Sequence, residues 1–255
     1  MNSSRRRAIK DMLSEKPFVS LKELEAAFPD VSSMTLRRDI EYFEQHGDAI
    51  KVRGGARSMK FITTSMEDSY HKRLGENIDA KERIAKRALE LIEPGHSIFL
   101  DAGTTVLRLA ALMPDERSNI TTTGPNIALE LIKKTQPIVN LVGGMINRDN
   151  IYISGNQAMA FLESVNIDMA IICPSGFSLK NGFTSGNYSE CELKRMVVKK
   201  ARSVVVLMDC SKLERTLPYT FCRLDEINTI ITDDLLPKEV SDAARAAGVE
   251  VIVAE

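Results

Sequence analysis

The chain has 255 residues, 34 Lys plus Arg against 35 Asp plus Glu, and a formal net charge of −1, which is long enough for two domains with separate cores. No apolar run approaches the roughly 18 residues of a membrane span, and no apolar stretch follows the charged start Met1-Asn2-Ser3-Ser4-Arg5-Arg6-Arg7 as in a signal peptide, so a cytoplasmic protein is expected. Cys173, Cys191, Cys210 and Cys222 are too widely spaced for a CxxC site, and His46, His71 and His96 stand apart, so no structural metal, disulfide or cofactor is expected.

The near-neutral total hides an asymmetry. Residues 1–60 hold 12 Lys plus Arg and 9 Asp plus Glu, net +3, which leaves 22 and 26, net −4, for the rest. In the basic part, Ile9, Met12 and Leu13 predict a first helix, and Leu21, Leu24 and Phe28 a second that ends near Pro29-Asp30. Leu36, Ile40 and Phe43 recur at helical spacing and predict a third, capped by Ser32 or Ser33 and ended by Gly47. Ile50 to Arg53 reads as a short strand, with Gly54-Gly55 permitting a turn that few other residues allow. Three short helices followed by a hairpin make a winged helix-turn-helix, with the third helix in the recognition position. Arg37 and Arg38 can then reach base edges or phosphates in a major groove, and Lys51 and Arg53 the neighbouring backbone. The candidate DNA contacts are Arg5, Ser32, Ser33, Thr35, Arg37, Arg38, Lys51, Arg53, Gly54 and Gly55. An Arg pair by itself is more often a solvated helix face; the coincidence of cap, preceding helix, wing and Arg5-Arg6-Arg7 favours double-stranded DNA. A net +3 supports only weak binding by one copy, so a homodimer or homotetramer is expected on paired half-sites.

Residues 1–57 are thus assigned to DNA binding, 58–78 to a polar linker, and 79–255 to a second domain. Helical spacing over Glu82 to Ile92, with Gly95 as stop, precedes the apolar run Ser97 to Leu100, which reads as a buried strand. The alternation continues: helix Val106–Met113, strand Asn119–Thr123, helix Pro125–Lys134, strand Ile138–Val142. Later come strand Met169–Ile172, a helix opened by a Ser189/Glu192 capping box, strands Ser203–Met208 and Asn228–Thr232, helix Pro237–Ala247, and strand Val249–Val253. Such alternation predicts an α/β domain with a mainly parallel sheet covered on both faces.

In sheets of this kind, ligands sit beyond the carboxyl ends of the strands. Asp101-Ala102-Gly103-Thr104-Thr105 joins a strand to a helix there, so free backbone N–H groups and two hydroxyls converge on one anion at the positive end of a helix dipole. With no GxxxxGK[ST] or GxGxxG in the chain, a phosphate monoester fits better than a nucleotide. A plain N-cap with no ligand is the alternative. Asp101 would be repelled by a phosphate, and suits a sugar hydroxyl or the loop itself. Gly143-Gly144 permits close approach of a ligand or simply a tight turn. Lys194 and Lys212 are candidate cations for the phosphate or ordinary surface lysines.

These residues together resemble the DeoR family of bacterial repressors of sugar catabolism over nearly the whole chain. The DNA-binding signature is matched by Val31-Ser32, Thr35, Arg37-Arg38-Asp39, Gly47 and Gly54-Gly55-Ala56. The second domain is matched by Asp101 to Thr105, Gly143-Gly144, Gly155, Asp168, Gly176, Gly182, Glu190, Lys194-Arg195, Ser211-Lys212 and Ile231-Thr232-Asp233. The resemblance implies a winged helix-turn-helix joined to a domain similar to ribose-5-phosphate isomerase, which senses a phosphorylated sugar or sugar-derived intermediate and releases DNA on binding it. It further implies an effector site of Gly103, Thr104, Thr105, Gly143, Gly144, Lys194 and Lys212, with Asp101 and Glu190 nearby.

Three positions depart from the family pattern: Lys51 stands where arginine is usual, Thr123 where asparagine is usual, and Pro174-Ser175 is unusual after its strand. Lysine cannot form a bidentate fork, so the Lys51 contact should be less directional. The competing reading is a sugar-phosphate isomerase with an appended DNA-binding domain. An isomerase needs a general base beside the carbon that loses its proton, and the stretch comparable to the isomerase's acidic loop, Cys173-Pro174-Ser175-Gly176-Phe177, has no carboxylate. A non-enzymatic regulator is therefore expected.

Overall fold

The computed structural model describes residues 2–16, 18–46, 48–58 and 68–255, and the chain divides into two units, Met1–Met66 and Glu67–Glu255. The expected helix stop at Gly47 lies outside the described residues.

The first unit runs α1 (Asn2–Glu15), β1 (Phe18–Ser20), α2 (Leu21–Ala27), α3 (Ser33–Gln45), β2 (Ala49–Val52) and β3 (Gly55–Ser58). Leu36, Ile40 and Phe43 of α3 pack with Ile9 and Leu13 of α1 and Leu24 of α2 in one small core. The Ser32 hydroxyl caps α3 by accepting the Thr35 N–H at 3.3 Å. A full capping box opens α2: Ser20 Oγ accepts from Glu23 N–H at 3.1 Å, and the Glu23 carboxylate accepts from Ser20 N–H at 2.8 Å. The strands pair antiparallel in the order β1-β3-β2, with Val19 opposite Ala56 and Lys51 opposite Ala56 on the other side. The two wing glycines have different tasks. Gly54, at φ +89°, makes the turn, whereas a Cβ on Gly55 would lie 2.2 Å from the Val19 carbonyl oxygen. Gly55 is therefore buried against β1.

The second unit contains α4 (Tyr70–Gly75), α5 (Ile78–Leu89), β4 (Ser97–Leu100), α6 (Thr104–Leu112), β5 (Asn119–Thr122), α7 (Pro125–Leu131), β6 (Ile138–Leu141), β7 (Met145–Asn147) and β8 (Tyr152–Ser154). There follow α8 (Asn156–Ser164), β9 (Met169–Ile172), β10 (Gly176–Ser178), β11 (Gly182–Ser185), α9 (Tyr188–Lys200), β12 (Ser203–Leu207), β13 (Tyr219–Cys222), β14 (Thr229–Thr232), α10 (Lys238–Ala246) and β15 (Glu250–Val253). Seven strands form one sheet in the order β15-β14-β12-β9-β4-β5-β6, each pair parallel. Its strands are apolar on both faces, as burial under two helix layers requires. Ile98, Leu100, Val205 and Leu207 enter one core with α5, α6 and α7, while Phe99, Val204 and Val206 point into the other with α8, α9 and α10. A smaller antiparallel sheet, β10-β11-β13, and the hairpin β7-β8 complete the unit.

Two local expectations are corrected. Helix α4 forms within the stretch expected to be linker: Tyr70 is 1% exposed, its N–H donates to the Asp149 carbonyl at 2.8 Å, and Asp68 pairs with Arg215 at 3.0 Å. Helix α9 is capped by Asn187, which accepts the N–H groups of Ser189 and Glu190, so Ser189 lies inside the first turn. Glu192 is drawn to Arg195 instead of back to a cap. Among the described residues, no helix is long and apolar enough to cross a membrane, and no cluster of three metal-binding side chains occurs.

Candidate functional site

Strand order in the large sheet reverses between β4 and β9: β5 and β6 lie to one side of β4, and β9, β12, β14 and β15 to the other. A crevice opens at such a switch point, beyond the carboxyl ends of the strands. Here it is lined by Thr104 and Thr105 at the start of α6, by Cys173-Pro174 after β9, by Asp209 and Lys212 after β12, and by Arg73 and Lys81. Gly103 precedes α6 without giving it a side-chain cap. The helix thus presents backbone N–H groups and the positive end of its dipole to the crevice.

Lys194 does not serve this crevice as an open cation. Its side chain is 4% exposed, and its ammonium lies 3.0 Å from Asp101 Oδ2, 2.8 Å from Glu190 Oε1 and 2.7 Å from the Cys173 carbonyl oxygen, to which it donates. Asp101 Oδ2 also accepts the Cys173 N–H at 3.0 Å, and Glu190 Oε2 accepts the Ser185 hydroxyl at 2.9 Å. Burial would push the Glu190 carboxyl up, but Lys194 and Ser185 hold it below its ordinary value. Two carboxylates therefore outweigh the charge of Lys194, and the cluster ties the loops after β4 and β9 to α9. Asp101 holds the loop, one of the two roles expected of it. The Cys173 thiol is pushed up to about 12 by burial and by the Asp101 charge, so it is an unreactive lining atom.

The cations that reach the crevice are Arg73, Lys81 and Lys212. Lys212 is half-buried, and its ammonium makes no ion pair or hydrogen bond among the described residues. Lys81, 3% exposed, donates to the carbonyl oxygens of Arg73 and, at 2.5 Å, of Glu76, so it ties the end of α4 to α5. Burial pushes its ammonium below the usual lysine value, the Asp209 charge opposes that, and Lys212 adds to it. Asp209 is itself occupied: Oδ1 accepts from the Asn77 amide at 3.1 Å and from the Ser211 N–H at 3.2 Å. The crevice lining thus carries three cations against one carboxylate.

Thr104, Thr105 and Lys212 come together as expected, with Gly103 directly behind them. A Cβ on Gly103 would sit 2.7 Å from Cys173 Cβ, so close packing of two loops explains this glycine. Gly143 and Gly144 do not line the crevice. Gly144, at φ +151°, carries the chain from β6 into β7, where a Cβ would meet the Ser154 carbonyl oxygen at 2.4 Å. Arg73 and Lys81 escaped the sequence reading. Lys81 was findable, because it continues the buried stripe of Ile84, Ala85 and Ala88 at helical spacing, where a lysine demands a partner.

In the first unit, Ser32, Ser33, Arg37 and Arg38 are exposed along the start of α3, with Thr35 half-buried, and Arg53, Gly54 and Arg57 are exposed on the wing. Arg37 and Arg53 have no ion-pair partner among the described residues. Three expected contacts are already engaged. Lys51 pairs with Glu41 at 2.6 Å, and the Ser33 hydroxyl donates to Glu25 at 2.6 Å. Arg5 is only 14% exposed at its side chain and pairs with Asp39 at 2.6 Å, beside Arg6 at 2.9 Å. Arg5 therefore braces α1 against α3 and does not offer its charge outward. Burial would raise the Asp39 carboxyl, but the two guanidinium groups hold it below its usual range.

The family model for the DeoR-like helix-turn-helix domain matches residues 5–61, and the model for the DeoR C-terminal sensor domain matches residues 76–234. The chain is 31% identical over 251 residues to the HTH-type transcriptional regulator GlpR of Haloferax volcanii, covering 98% of this chain and 97% of that one. It is 30% identical over 248 residues to the HTH-type transcriptional repressor GlcR of Bacillus subtilis, covering 97% and 95%. Ribose-5-phosphate isomerase A of Methanocaldococcus jannaschii superposes with a TM-score of 0.41 at 19% identity, over 55% of this chain and 56% of that one. With both domain models matched in order and regulators aligned end to end, the chain belongs to the DeoR family of DNA-binding transcriptional regulators and is not an enzyme.

Proposed function

We propose that this regulator represses a carbohydrate-catabolism operon and leaves its operator when a phosphorylated sugar or sugar-derived intermediate enters the crevice at the β4–β9 switch point. The observation that carries the reading is the set of three cations, Arg73, Lys81 and Lys212, around the uncapped start of α6, against one carboxylate in the lining, Asp209, while Asp101 and Glu190 are engaged by Lys194. A phosphate dianion would accept from the N–H groups and hydroxyls of Thr104 and Thr105 and from Lys212. On DNA, Arg37 and Arg38 would enter the major groove while Arg53 and Arg57 of the wing meet backbone phosphates. Effector binding shifts the protein only by its differential affinity for the DNA-bound and free arrangements.

The test is fluorescence anisotropy of the full chain on DNA from its own upstream region, at fixed salt, titrated with a panel of sugar phosphates. One compound should release the DNA. Lys212→Ala should raise the concentration needed by roughly 10–100-fold, equivalent to the roughly 1.5–3 kcal/mol of one charged hydrogen bond, and leave DNA affinity unchanged. Arg37→Ala should weaken DNA binding and spare the effector. Tight DNA binding untouched by every compound would overturn the effector assignment.

A further inference from the structure

We propose that helix α4 is a lid over the crevice, seated in this structure and displaced when a phosphate enters. The crevice has a free volume of about 20 Å³, room for roughly one water molecule. Thr104 and Thr105, whose hydroxyls would meet the phosphate, are each only 5% exposed. A phosphorylated sugar therefore enters only when one wall gives way.

Most of that wall is fixed. Asp209 follows β12, Cys173 and Pro174 follow β9, and both strands are central in the parallel sheet. Thr104 and Thr105 begin α6, which is anchored in a core by Val106 and Leu109. Arg73 is different: it belongs to α4, six residues long, none of which enters either core of the sensor unit. Polar contacts hold α4 in place. Asp68 just before it pairs with Arg215 at 3.0 Å, the Tyr70 N–H donates to the Asp149 carbonyl, and the carbonyl oxygens of Arg73 and Glu76 accept from Lys81.

Two groups are poorly served by this seat. The Tyr70 ring is buried, yet its hydroxyl meets no hydrogen-bond partner among the described residues. Asn126, Arg73 and Arg108 bear on that hydroxyl without completing a hydrogen bond, and a buried hydroxyl left unpaired disfavours the state that holds it. Lys81 sets a buried ammonium on two neutral carbonyls, where an anion would suit it better. Lifting α4 relieves both. The hydroxyl reaches water, and Lys81 exchanges the carbonyls for the phosphate. Among the described residues α4 is also the first helix after the DNA-binding unit, so its displacement moves the chain that tethers that unit. The inference rests on the effector reading for what enters the crevice.

Hydrogen exchange of the full chain, free of DNA and phosphate, reads the lid by itself. Tyr70→Phe removes the unpaired hydroxyl and should slow exchange of the α4 amides roughly 5–100-fold. Asp68→Ala removes the Arg215 pair and should speed it roughly 10-fold, with Asp68→Asn moving it the same way by less. Calorimetric titration with inorganic phosphate then reads the coupling. Only the lifted form admits phosphate, so its dissociation constant should rise in Tyr70→Phe and fall in Asp68→Ala by the same factors as the exchange rates. Neither residue lines the crevice, and a general loss of stability would not give opposite signs. Exchange that is unchanged, or that moves in one direction in both variants, overturns the lid. So does exchange that moves as stated while phosphate affinity stays fixed. A wild type that binds no phosphate refutes the effector reading itself, and this inference falls with it.

Discussion

Asp39 occupies the recognition helix, yet it should act on DNA only through the stability of the first unit. Its side chain is 2% exposed and lies between Arg5 and Arg6, whose side chains are 14% and 32% exposed. Removing one partner from a fully buried ion pair costs about 3–5 kcal/mol, because the other charge is left stranded. Arg6 is far enough out to turn toward water, so Asp39→Ala strands essentially one guanidinium, that of Arg5, and a loss of about 2–3 kcal/mol is expected. In a domain of this size each kcal/mol moves the melting temperature by roughly 4–8 °C, so the first unit should melt roughly 10–20 °C lower. Calorimetry of the full chain should show that fall with the sensor transition unmoved. Operator affinity should drop near the new transition and recover on cooling. Asp39→Asn, which keeps one acceptor, should fall between. If the alanine variant melts within about 3 °C of the wild type, or loses DNA binding equally at all temperatures, the bracing role is wrong and Asp39 belongs to the DNA surface.

Other outcomes follow from the same physical terms. Gly103→Ala forces its new Cβ to within 2.7 Å of Cys173 Cβ and should cost about 1–3 kcal/mol in urea unfolding of the sensor unit. Adding Cys173→Gly should return most of that loss, and an uncorrected double variant would show that the clash is not the cause. Ser20→Ala removes the α2 cap and should lower first-unit stability by about 1 kcal/mol, with no effect on the sensor unit; equal melting curves would discount the capping box. The Glu190 carboxyl has a folded pKa below its ordinary value, so the stability it adds is complete above the unfolded value of about 4.3 and is lost as pH falls through the folded value. Sensor melting should therefore hold steady from pH 7 to about 5 and decline below that, and Glu190→Gln should flatten the acid decline. An acid limb identical in the two proteins would refute the assignment.

What the sequence revealed follows from how far each signal travels along the chain. All seven strands of the large sheet were visible, because they alternate with helices and the inner ones, buried on both faces, include continuous apolar runs such as Ser203–Leu207. The recognition helix was visible because its stripe and cap are local. Strands such as Phe18–Ser20, Gly176–Ser178 and Tyr219–Cys222 are three or four residues long, and their pairing is dictated by segments far away, so no local period announces them. The site divides along the same line. Thr104, Thr105 and Lys212 follow strands and could be placed there by topology. The engagement of Lys194 by Asp101 could not be read, because only the folded sheet brings α9 to the end of β4. Arg73 was lost because a single helical turn-and-a-half, Tyr70–Gly75, has too few apolar positions to stand out from a polar connection.

The central pairing of the sensor sheet also sets an order of events during synthesis. Asp101 and the backbone of Cys173 that it holds are 72 residues apart, and β4 cannot gain its neighbour β9 until that whole stretch has left the ribosome. The first unit closes on shorter separations, such as the 34 residues between Arg5 and Asp39, so its search is shorter, whereas the sensor unit must first meet the entropy of a longer loop. Units of this kind fold from the amino end as they emerge. A newly made chain therefore acquires its DNA-binding shape well before its sensor, and for that interval the reading head exists without the element that can switch it off.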